Sequence, residues 1–198
     1  MSFPKDKTKN ELDLIKNNFF ILVDAFDQIN LDYFVDSGTL LGMYRNGDFI
    51  KWDWDVEFSI TDQKFEENKI EILKIIKKKG FEICKIDKIN KKIDFIKDFE
   101  KSVNKFSIKV WKFNKSKNIY FRNNFEIPKI YFDKTSNIEC FGRNFKAPNM
   151  VEEYLTFMYG DWRTPLKSAE KSKYLSKSYY KRNLLSRIKN FILGKIKN

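Results

Sequence analysis

The chain has 198 residues, 42% of them hydrophobic and 17% aromatic, which is enough apolar material for one folded domain with a substantial core. It contains no histidine, so imidazole general bases, His-based catalytic triads and histidine-containing metal sites are excluded. The formal net charge is +12, but residues 166–198 hold ten Lys or Arg and one Glu, a local charge of +9, so a general nucleic-acid surface is not expected on the rest of the chain.

The cysteine content and the N-terminal residues bear on the cellular compartment. Cys84 and Cys140 are too few and too far apart for a disulfide framework or a zinc site, so free thiols are expected. Residues 1–7 lack the apolar run of a signal peptide, and no apolar stretch approaches the roughly 18 to 20 residues that span a bilayer. The sequence therefore predicts a cytoplasmic protein.

The first predicted element is an amphipathic helix over residues 10–29, because its apolar residues recur at the spacing of one helix face. We expect this helix to pack on a sheet. Residues 32–36 then favour a short strand.

A short glycine-containing stretch follows that strand. Ser37 and Gly38 favour a turn, and residues 39–46 favour a short helix that begins at a Thr39 cap and stops before Gly47. A turn that leads into a helix start exposes backbone N–H groups and the positive end of the helix dipole. The sequence therefore predicts that an anion binds at this point.

Three acidic residues alternate just downstream. In a strand, Asp53, Asp55 and Glu57 would project from one face, and Trp54 would project from the opposite face into the core. A solvated strand face is one reading of this pattern. The other is a site for a hard divalent cation, Mg²⁺ or Mn²⁺, which would remove the repulsion between the carboxylates and hold a substrate phosphate.

The remaining pattern alternates between helix and strand. A second long helix is predicted from residue 61 to Gly80, and a third over residues 150–159. Strands are expected over residues 81–89, 105–113, 118–121, 129–132 and 138–145, the last with a hairpin turn available at Gly142 and Arg143. This order agrees with an α/β or α+β domain.

The C-terminal residues differ in character from those before them. Residues 183–197 combine an apolar helical stripe with Lys and Arg, as in an interfacial helix attracted to anionic lipid. A terminal helix docked on its own domain explains the pattern equally well. We therefore divide the chain into a domain, residues 1–166, and a basic amphipathic tail, residues 167–198.

Two separated motifs resemble a known family. The first comprises Ser37-Gly-Thr-Leu-Leu-Gly42, Arg45 and Trp52-Asp-Trp-Asp-Val-Glu57; the second comprises Phe141-Gly-Arg-Asn-Phe-Lys-Ala-Pro148, Glu152-Glu-Tyr-Leu155 and Tyr159-Gly-Asp-Trp-Arg-Thr-Pro165. In this order they resemble the LicD or fukutin-related group of the nucleotidyltransferase superfamily. The resemblance spans about residues 10–166. It implies a small mixed sheet with packed helices and an acidic strand beside the Ser-Gly turn.

The resemblance also implies an activity. Members of this family move phosphocholine or a polyol phosphate from a CDP-linked donor to a sugar hydroxyl of a surface glycan such as lipopolysaccharide, capsule or teichoic acid. On this reading Asp53 and Asp55 are metal ligands, and Glu57 is a further ligand or the acceptor of the hydroxyl proton. A lipid-linked acceptor would place the protein at the inner face of the membrane, with the tail on anionic lipid.

The other site residues follow from the same chemistry. Ser37, Gly38 and Thr39 are expected to hold the donor phosphate. Arg45 either neutralises charge on that phosphate or forms a structural salt bridge. Trp52 is a candidate to line the site beside a choline-like cation.

One position departs from the family in a way that affects function. Lys109, in the strand predicted over residues 105–113, stands where members commonly carry an aspartate. Glu57 and Trp54 also replace aspartates common in the family. Besides a transferase, the sequence thus allows a weakened relative that only binds nucleotide or glycan, or a basic module that binds membrane or nucleic acid through its tail.

Overall fold

The structure is a computed structural model that describes residues 5–87, 92–97 and 105–180. Its helices are α1 Lys9–Gln28, α2 Ser37–Asn46, α3 Asp62–Lys78, α4 Val151–Tyr159 and α5 Lys171–Tyr174. Its strands are β1 Phe34–Val35, β2 Asp55–Thr61, β3 Glu82–Asp87, β4 Lys92–Ile96, β5 Lys105–Asn114, β6 Ile119–Arg122, β7 Phe125–Pro128, β8 Thr135–Cys140 and β9 Arg143–Pro148. The predicted mixed α/β architecture is confirmed.

Strands β1 to β7 form one mixed sheet. Its central order is β1-β2-β5-β4-β3, and β6 and β7 extend it from β5. The β2–β5 pair is parallel and the other pairs are antiparallel, while α3 makes the crossover from β2 and packs on both β2 and β5. Strands β8 and β9 form a separate hairpin that packs against β1. The parallel pair brings the acidic strand β2 beside Lys109 of β5.

Helix α1 confirms the expected amphipathic pattern. It begins at a Thr8 cap, where Thr8 and Glu11 bond reciprocally to each other's backbone N–H groups. Its apolar stripe is buried, and the ring of Phe19 stacks on that of Phe58 at 5.6 Å between centroids. Helix α1 thus packs against the sheet directly behind β2.

The prediction for the start of α2 was wrong. The helix begins at Ser37, and the side chain of Asp36 caps it by accepting a hydrogen bond from the Ser37 N–H at 2.6 Å. The Thr39 hydroxyl instead accepts a hydrogen bond from the N–H of Glu57 at 2.8 Å. Helix α2 is therefore fastened to the acidic strand β2.

Two predicted strands also differ from the structure. Residues 32–36 contain only the two-residue strand β1, because Asp36 already caps the helix. Residues 129–132 form a 3-10 turn, Lys129–Tyr131, where the chain leaves β7. The strand predicted over residues 81–89 is β3 as far as Asp87, and its last residues lie outside the described part.

Residues 168–180 pack against the domain. Tyr179 is 2% exposed within the main core, and the N–H of Ser176 donates to the carbonyl of Met158 at 2.8 Å. The helix predicted over residues 183–197 lies outside the described residues, so the division of the chain at residue 166 stays a prediction. Within the described ranges, no helix combines the length and apolar character needed to cross a membrane.

Candidate active site

A cavity of about 800 Å³ lies where the start of α2 meets the start of β2. Its wall includes Ser37, Gly38, Arg45, Trp52, Asp53, Asp55, Glu57 and Lys109, eight of the nine residues proposed from the sequence. Thr39 is 2% exposed and contributes to the link between α2 and β2 rather than to this wall.

Asp36 holds the start of α2 in place behind the cavity wall. It is fully buried and accepts hydrogen bonds of 2.6 Å from the Ser37 N–H, the Ser59 hydroxyl and the Tyr154 hydroxyl. Ser37 has φ +55°, a conformation that few non-glycine residues adopt, and these bonds hold the preceding residue in place. Asp36 was not predicted as a cap from the sequence, although an Asp directly before a Ser-Gly helix start is typical of an N-cap.

Gly38 and Asp53 are in close contact. A Cβ on Gly38 would lie 2.9 Å from Cγ of Asp53 and still closer to Oδ2, so any larger residue would require this carboxylate to move. Asp53 precedes β2 and does not extend the strand, contrary to the alternating-strand prediction. The loop nevertheless directs its carboxylate to the start of α2.

Trp54 has a different environment from the one expected. Its side chain is 58% exposed and lines the cavity, so the prediction that it packs in the core was wrong. The cause is the loop before β2, which removes the strand alternation on which that prediction rested. Trp52 is partly buried at the same wall, with the ammonium of Lys167 5.7 Å from its ring centroid.

Two lysines reach the carboxylates. Lys92 Nζ lies 2.8 Å from Asp55 Oδ2, which also accepts a hydrogen bond from the Ser107 hydroxyl at 2.9 Å. Lys109 is 5% exposed, and its Nζ lies 2.6 Å from Glu57 Oε1 and donates to Ser37 Oγ at 2.7 Å. Lys109 therefore bridges the acidic strand and the helix start.

The crowding of charge shifts the pKa values of the three carboxyl groups in different directions. Burial, followed by Glu57 and Asp55, raises the pKa of Asp53 to about 7. Burial and then Asp55 raise the pKa of Glu57 despite the opposing effect of Lys109. Burial also acts to raise the pKa of Asp55, but Lys92, Lys109 and Ser107 more than offset it, so that pKa is lowered.

The donor types at this site suit a hard cation. Asp53, Asp55 and Glu57 supply the carboxylate oxygens that Mg²⁺ prefers, and a bound cation would oppose the burial and the neighbouring carboxylates that raise the pKa values of Asp53 and Glu57. Lys92 and Lys109 already compensate part of the charge. In the described part of the chain, no group of three or more His, Cys, Asp or Glu side chains has the arrangement of a metal site. Mg²⁺ or Mn²⁺ therefore stays a prediction.

Arg45 is fixed at the cavity wall by hydrogen bonds. Its Nη1 donates to the carbonyl of Trp162 at 3.0 Å and its Nε donates to Asn46 Oδ1 at 2.9 Å. Among the described residues it forms no ion pair with a carboxylate, so the salt-bridge alternative was wrong.

The sequence analysis missed another part of the wall. Lys92, Asp94, Arg122, Tyr159, Lys171, Tyr174 and Tyr179 all line the cavity. Tyr159 and Tyr179 have pKa values raised far above the ordinary value, chiefly by burial. They come from separate parts of the chain, and no local pattern marks them as neighbours.

Comparison with known proteins identifies the family. Residues 30–150 match the family described as LicD/FKTN/FKRP, nucleotidyltransferase domain, which is more than half of the chain. No curated protein matches the sequence.

Two solved structures of one protein are similar to the structure of this chain. The solution structure of the antibiotic-resistance factor ANT(2'')-Ia has a TM-score of 0.51 and 13% identity, and the match covers 94% of this chain and 88% of that one. The crystal structure of ANT(2'')-Ia with adenylyl-2''-tobramycin has a TM-score of 0.47 and 12% identity over 67% of this chain and 68% of that one. The first likeness supports the nucleotidyltransferase fold, and the family supports a transferase. The chain belongs to the LicD/FKTN/FKRP family, and residues 30–150 are its nucleotidyltransferase domain.

Proposed function

We propose that this protein is a metal-dependent transferase that moves a phosphorylated substituent from a CDP-linked donor to a sugar hydroxyl of a surface glycan. The substituent is phosphocholine-like or a polyol phosphate. The observation that carries the proposal is the contact between Gly38, at the start of α2, and Asp53 inside a cavity large enough for a nucleotide-linked donor. An anion-binding helix start and a group of carboxylates meet there.

The start of α2 is suited to the donor phosphate. The first turn of a helix presents backbone N–H groups without partners inside the helix, and the helix dipole favours negative charge there. Ser37 and Gly38 form this turn, and Lys109 adds a positive charge 2.7 Å from the Ser37 hydroxyl. Arg45 at the other end of α2 supplies a second cation to the wall.

Asp53, Asp55 and Glu57 are the residues that would hold the metal. When bound, Mg²⁺ would neutralise charge on the transferring phosphate. The chain's own contribution is positional: Lys92 and Ser107 orient Asp55, and Lys109 orients Glu57. Glu57 is our candidate to accept the proton of the attacking hydroxyl.

The ion pairs also support a second candidate function. Because Lys92 and Lys109 compensate charge on Asp55 and Glu57, the same cavity suits a protein that binds nucleotide or glycan with little or no turnover. Such a protein would bind the donor without consuming it. A lipid-linked glycan, either as acceptor or as bound ligand, would place the protein at the membrane surface.

A donor panel tests the proposal. The protein is heated with CDP-choline, CDP-ribitol or CDP-glycerol, each with and without Mg²⁺, because a ligand that binds only the folded state raises the melting temperature. The donor that gives the largest shift is then incubated with glycan acceptors, and CMP release and product mass are measured. We expect a Mg²⁺-dependent shift and transfer.

Two results would decide against the proposal. A shift without CMP release for any acceptor would favour the binding protein. No shift and no transfer with any CDP-linked donor would reject both readings of the cavity. Asp55→Asn serves as the control for transfer, since it keeps the size of the side chain and removes its charge.

A further inference from the structure

Two cations from distant parts of the chain contact one aromatic ring at the cavity. Lys171 Nζ lies 5.3 Å from the ring centroid of Phe125, and Arg122 Cζ lies 5.4 Å from the same centroid. Arg122 is 8% exposed and its guanidinium also lies 5.4 Å from the ring of Trp111. Both Lys171 and Arg122 line the cavity. Positive charge is thus concentrated on one part of the wall.

Lys171 differs from the other lysines of the site in its partners. Lys109 is paired with Glu57, and Lys92 is paired with Asp55. Among the described residues, Lys171 forms no ion pair with a carboxylate. Its side chain is open to the cavity, so a ligand can reach it.

The electrostatic surroundings of Lys171 favour a negatively charged ligand. Partial removal from water is the main cause that lowers the pKa of Lys171. The positive charges of Lys109, Arg122 and Lys92 lower it further, and Glu57 opposes them. An anion in the cavity would reduce this repulsion. A diphosphate suits the place because Arg and Lys bind phosphate oxygens through charge-assisted hydrogen bonds.

The segment that carries Lys171 is held to the domain. The N–H of Glu126 donates to the carbonyl of Tyr179 at 3.3 Å, and Tyr180 forms a β-bridge with Phe125. The rings of Phe125 and Tyr179 are 5.0 Å apart between centroids. The backbone of this segment is therefore held against the domain before any ligand binds, which lowers the entropic cost of binding.

We propose that Lys171, Arg122 and Lys109 form an anion-binding subsite, and that this subsite holds the diphosphate of the donor. The identification of the anion as the donor's diphosphate rests on the proposed function. The subsite itself rests on the contact of Lys171 and Arg122 with one ring, Phe125, in a cavity that Lys109 also lines. It makes the C-terminal segment, residues 168–180, a part of the binding machinery.

Titration calorimetry with inorganic pyrophosphate tests the subsite on the full chain. Buffers contain EDTA, so that no metal contributes to binding. Lys171→Met keeps an unbranched side chain of similar length and removes the charge, and Lys171→Arg keeps the charge. Lys177→Met is the matched control, because Lys177 is an exposed lysine of the same segment that does not line the cavity.

We expect Lys171→Met to weaken pyrophosphate binding about tenfold or more, as is typical for the loss of a charged hydrogen bond. Lys171→Arg should stay within about threefold of the unmodified chain, and Lys177→Met within about twofold. Cytidine, which lacks phosphate, should bind equally to the unmodified chain and to Lys171→Met. Circular dichroism confirms that each variant is folded.

Three results would overturn the subsite: no pyrophosphate binding by the unmodified chain, equal binding by Lys171→Met, or equal weakening by Lys171→Met and Lys177→Met. The last would indicate a general effect of net charge. A failure of the proposed function gives a different result. In that case no CDP-linked donor supports transfer, but pyrophosphate binding still depends on Lys171.

Discussion

Lys109 Nζ and Glu57 Oε1 lie 2.6 Å apart, with the two side chains 7% and 14% exposed. In the parallel register Glu57 is opposite Ser107, and Lys109 is the next residue of β5 on the same face. The chain therefore places its own cation among the carboxylates that are expected to hold a metal. The metal requirement of the site depends on this pair.

Replacing Lys109 by a carboxylate should change how the protein responds to metal. Lys109→Asp removes the ammonium and adds a negative charge beside Glu57, so the apo protein should lose stability and gain more from added Mn²⁺ than the unmodified chain does. Thermal unfolding across a Mn²⁺ titration measures both effects. Lys112→Asp, at an exposed position of the same strand, is the control. Identical titrations for Lys109→Asp and the unmodified chain would exclude Lys109 from the metal site.

Neutralising a proposed metal ligand should stop transfer without unfolding the protein. Asp53→Asn and Asp55→Asn each remove one carboxylate, and we expect transfer to fall by about a hundredfold or more, as when other preorganised electrostatic groups are removed. Turnover at saturating Mg²⁺ measures this, with circular dichroism as the check of fold. Near-normal turnover of both variants would reject the assignment of these residues.

The stability of the apo protein should depend on pH through Asp53. Its pKa is raised from 3.8 to about 7, so the folded state binds this proton more tightly than the unfolded state does. The contribution of Asp53 to the free energy of unfolding is therefore fully present below its unfolded pKa and is lost as the pH rises through about 7.

Asp53→Asn removes this pH dependence. In EDTA, the difference in unfolding free energy between Asp53→Asn and the unmodified chain should grow in favour of the variant by on the order of 2 kcal/mol between about pH 4.5 and pH 8. This figure is below the full value of the shift because the side chain keeps some contact with solvent. Urea unfolding at the two pH values measures it. If the difference in unfolding free energy were the same at both pH values, the pKa of Asp53 would not be raised in the folded state.

A methyl group at Gly38 should disable the site. Gly38→Ala places Cβ against the carboxylate of Asp53, which must move away from the start of α2. We expect transfer to fall at least about tenfold, because small displacements of positioning groups are costly. Gly142→Ala is the control: Gly142 has φ +70° but nothing within 4 Å of the added methyl, so it should cost stability and spare transfer. Equal transfer by both variants would contradict the close contact between Gly38 and Asp53.

The sequence predicted some parts of the molecule better than others, for physical reasons. Helix α1 was predicted to within a residue because it buries one stripe of side chains. Helix α2 begins two residues before the predicted start. Asp36 accepts three hydrogen bonds as a buried cap, and the Thr39 hydroxyl accepts a hydrogen bond from Glu57 of β2 instead of capping the helix. The mixed topology came from the family resemblance, because periodicity does not determine which strands pair.

Apart from Lys109, which the family resemblance indicated, the site was predictable only where its residues lie close together in sequence. Ser37, Gly38 and Asp53 belong to one motif, and the structure brings them together. Lys171 and Tyr179 return to the same cavity through tertiary packing, which leaves no periodic pattern in the sequence.

Because residues 168–180 pack against the domain, the membrane role of the tail is tested with a deletion that begins after them. Deleting residues 181–198 should leave the domain folded and should preserve transfer to a small soluble acceptor. Binding to anionic vesicles should fall, with each basic residue near the membrane contributing on the order of 1 kcal/mol. Co-sedimentation with anionic and neutral vesicles measures this. Equal binding of the full and truncated chains would reject the membrane role of the tail.

A longer deletion, from residue 168, provides the contrast. It removes buried Tyr179 and the cavity residue Lys171, so we expect a lower melting temperature and weaker donor binding. A truncated chain that melted and bound donor like the full domain would show that this segment is dispensable.

The burial of Tyr179 also bears on when during synthesis the cavity becomes complete. A nascent chain that has emerged from the ribosome only as far as residue 166 already carries Ser37 and the three carboxylates, but it lacks Tyr179 and the other wall residues of the C-terminal segment. Prematurely terminated products of this length would have an incomplete cavity, so we expect them to bind the donor more weakly. Full donor binding is expected only after residues 168–180 have left the exit tunnel and packed on the domain.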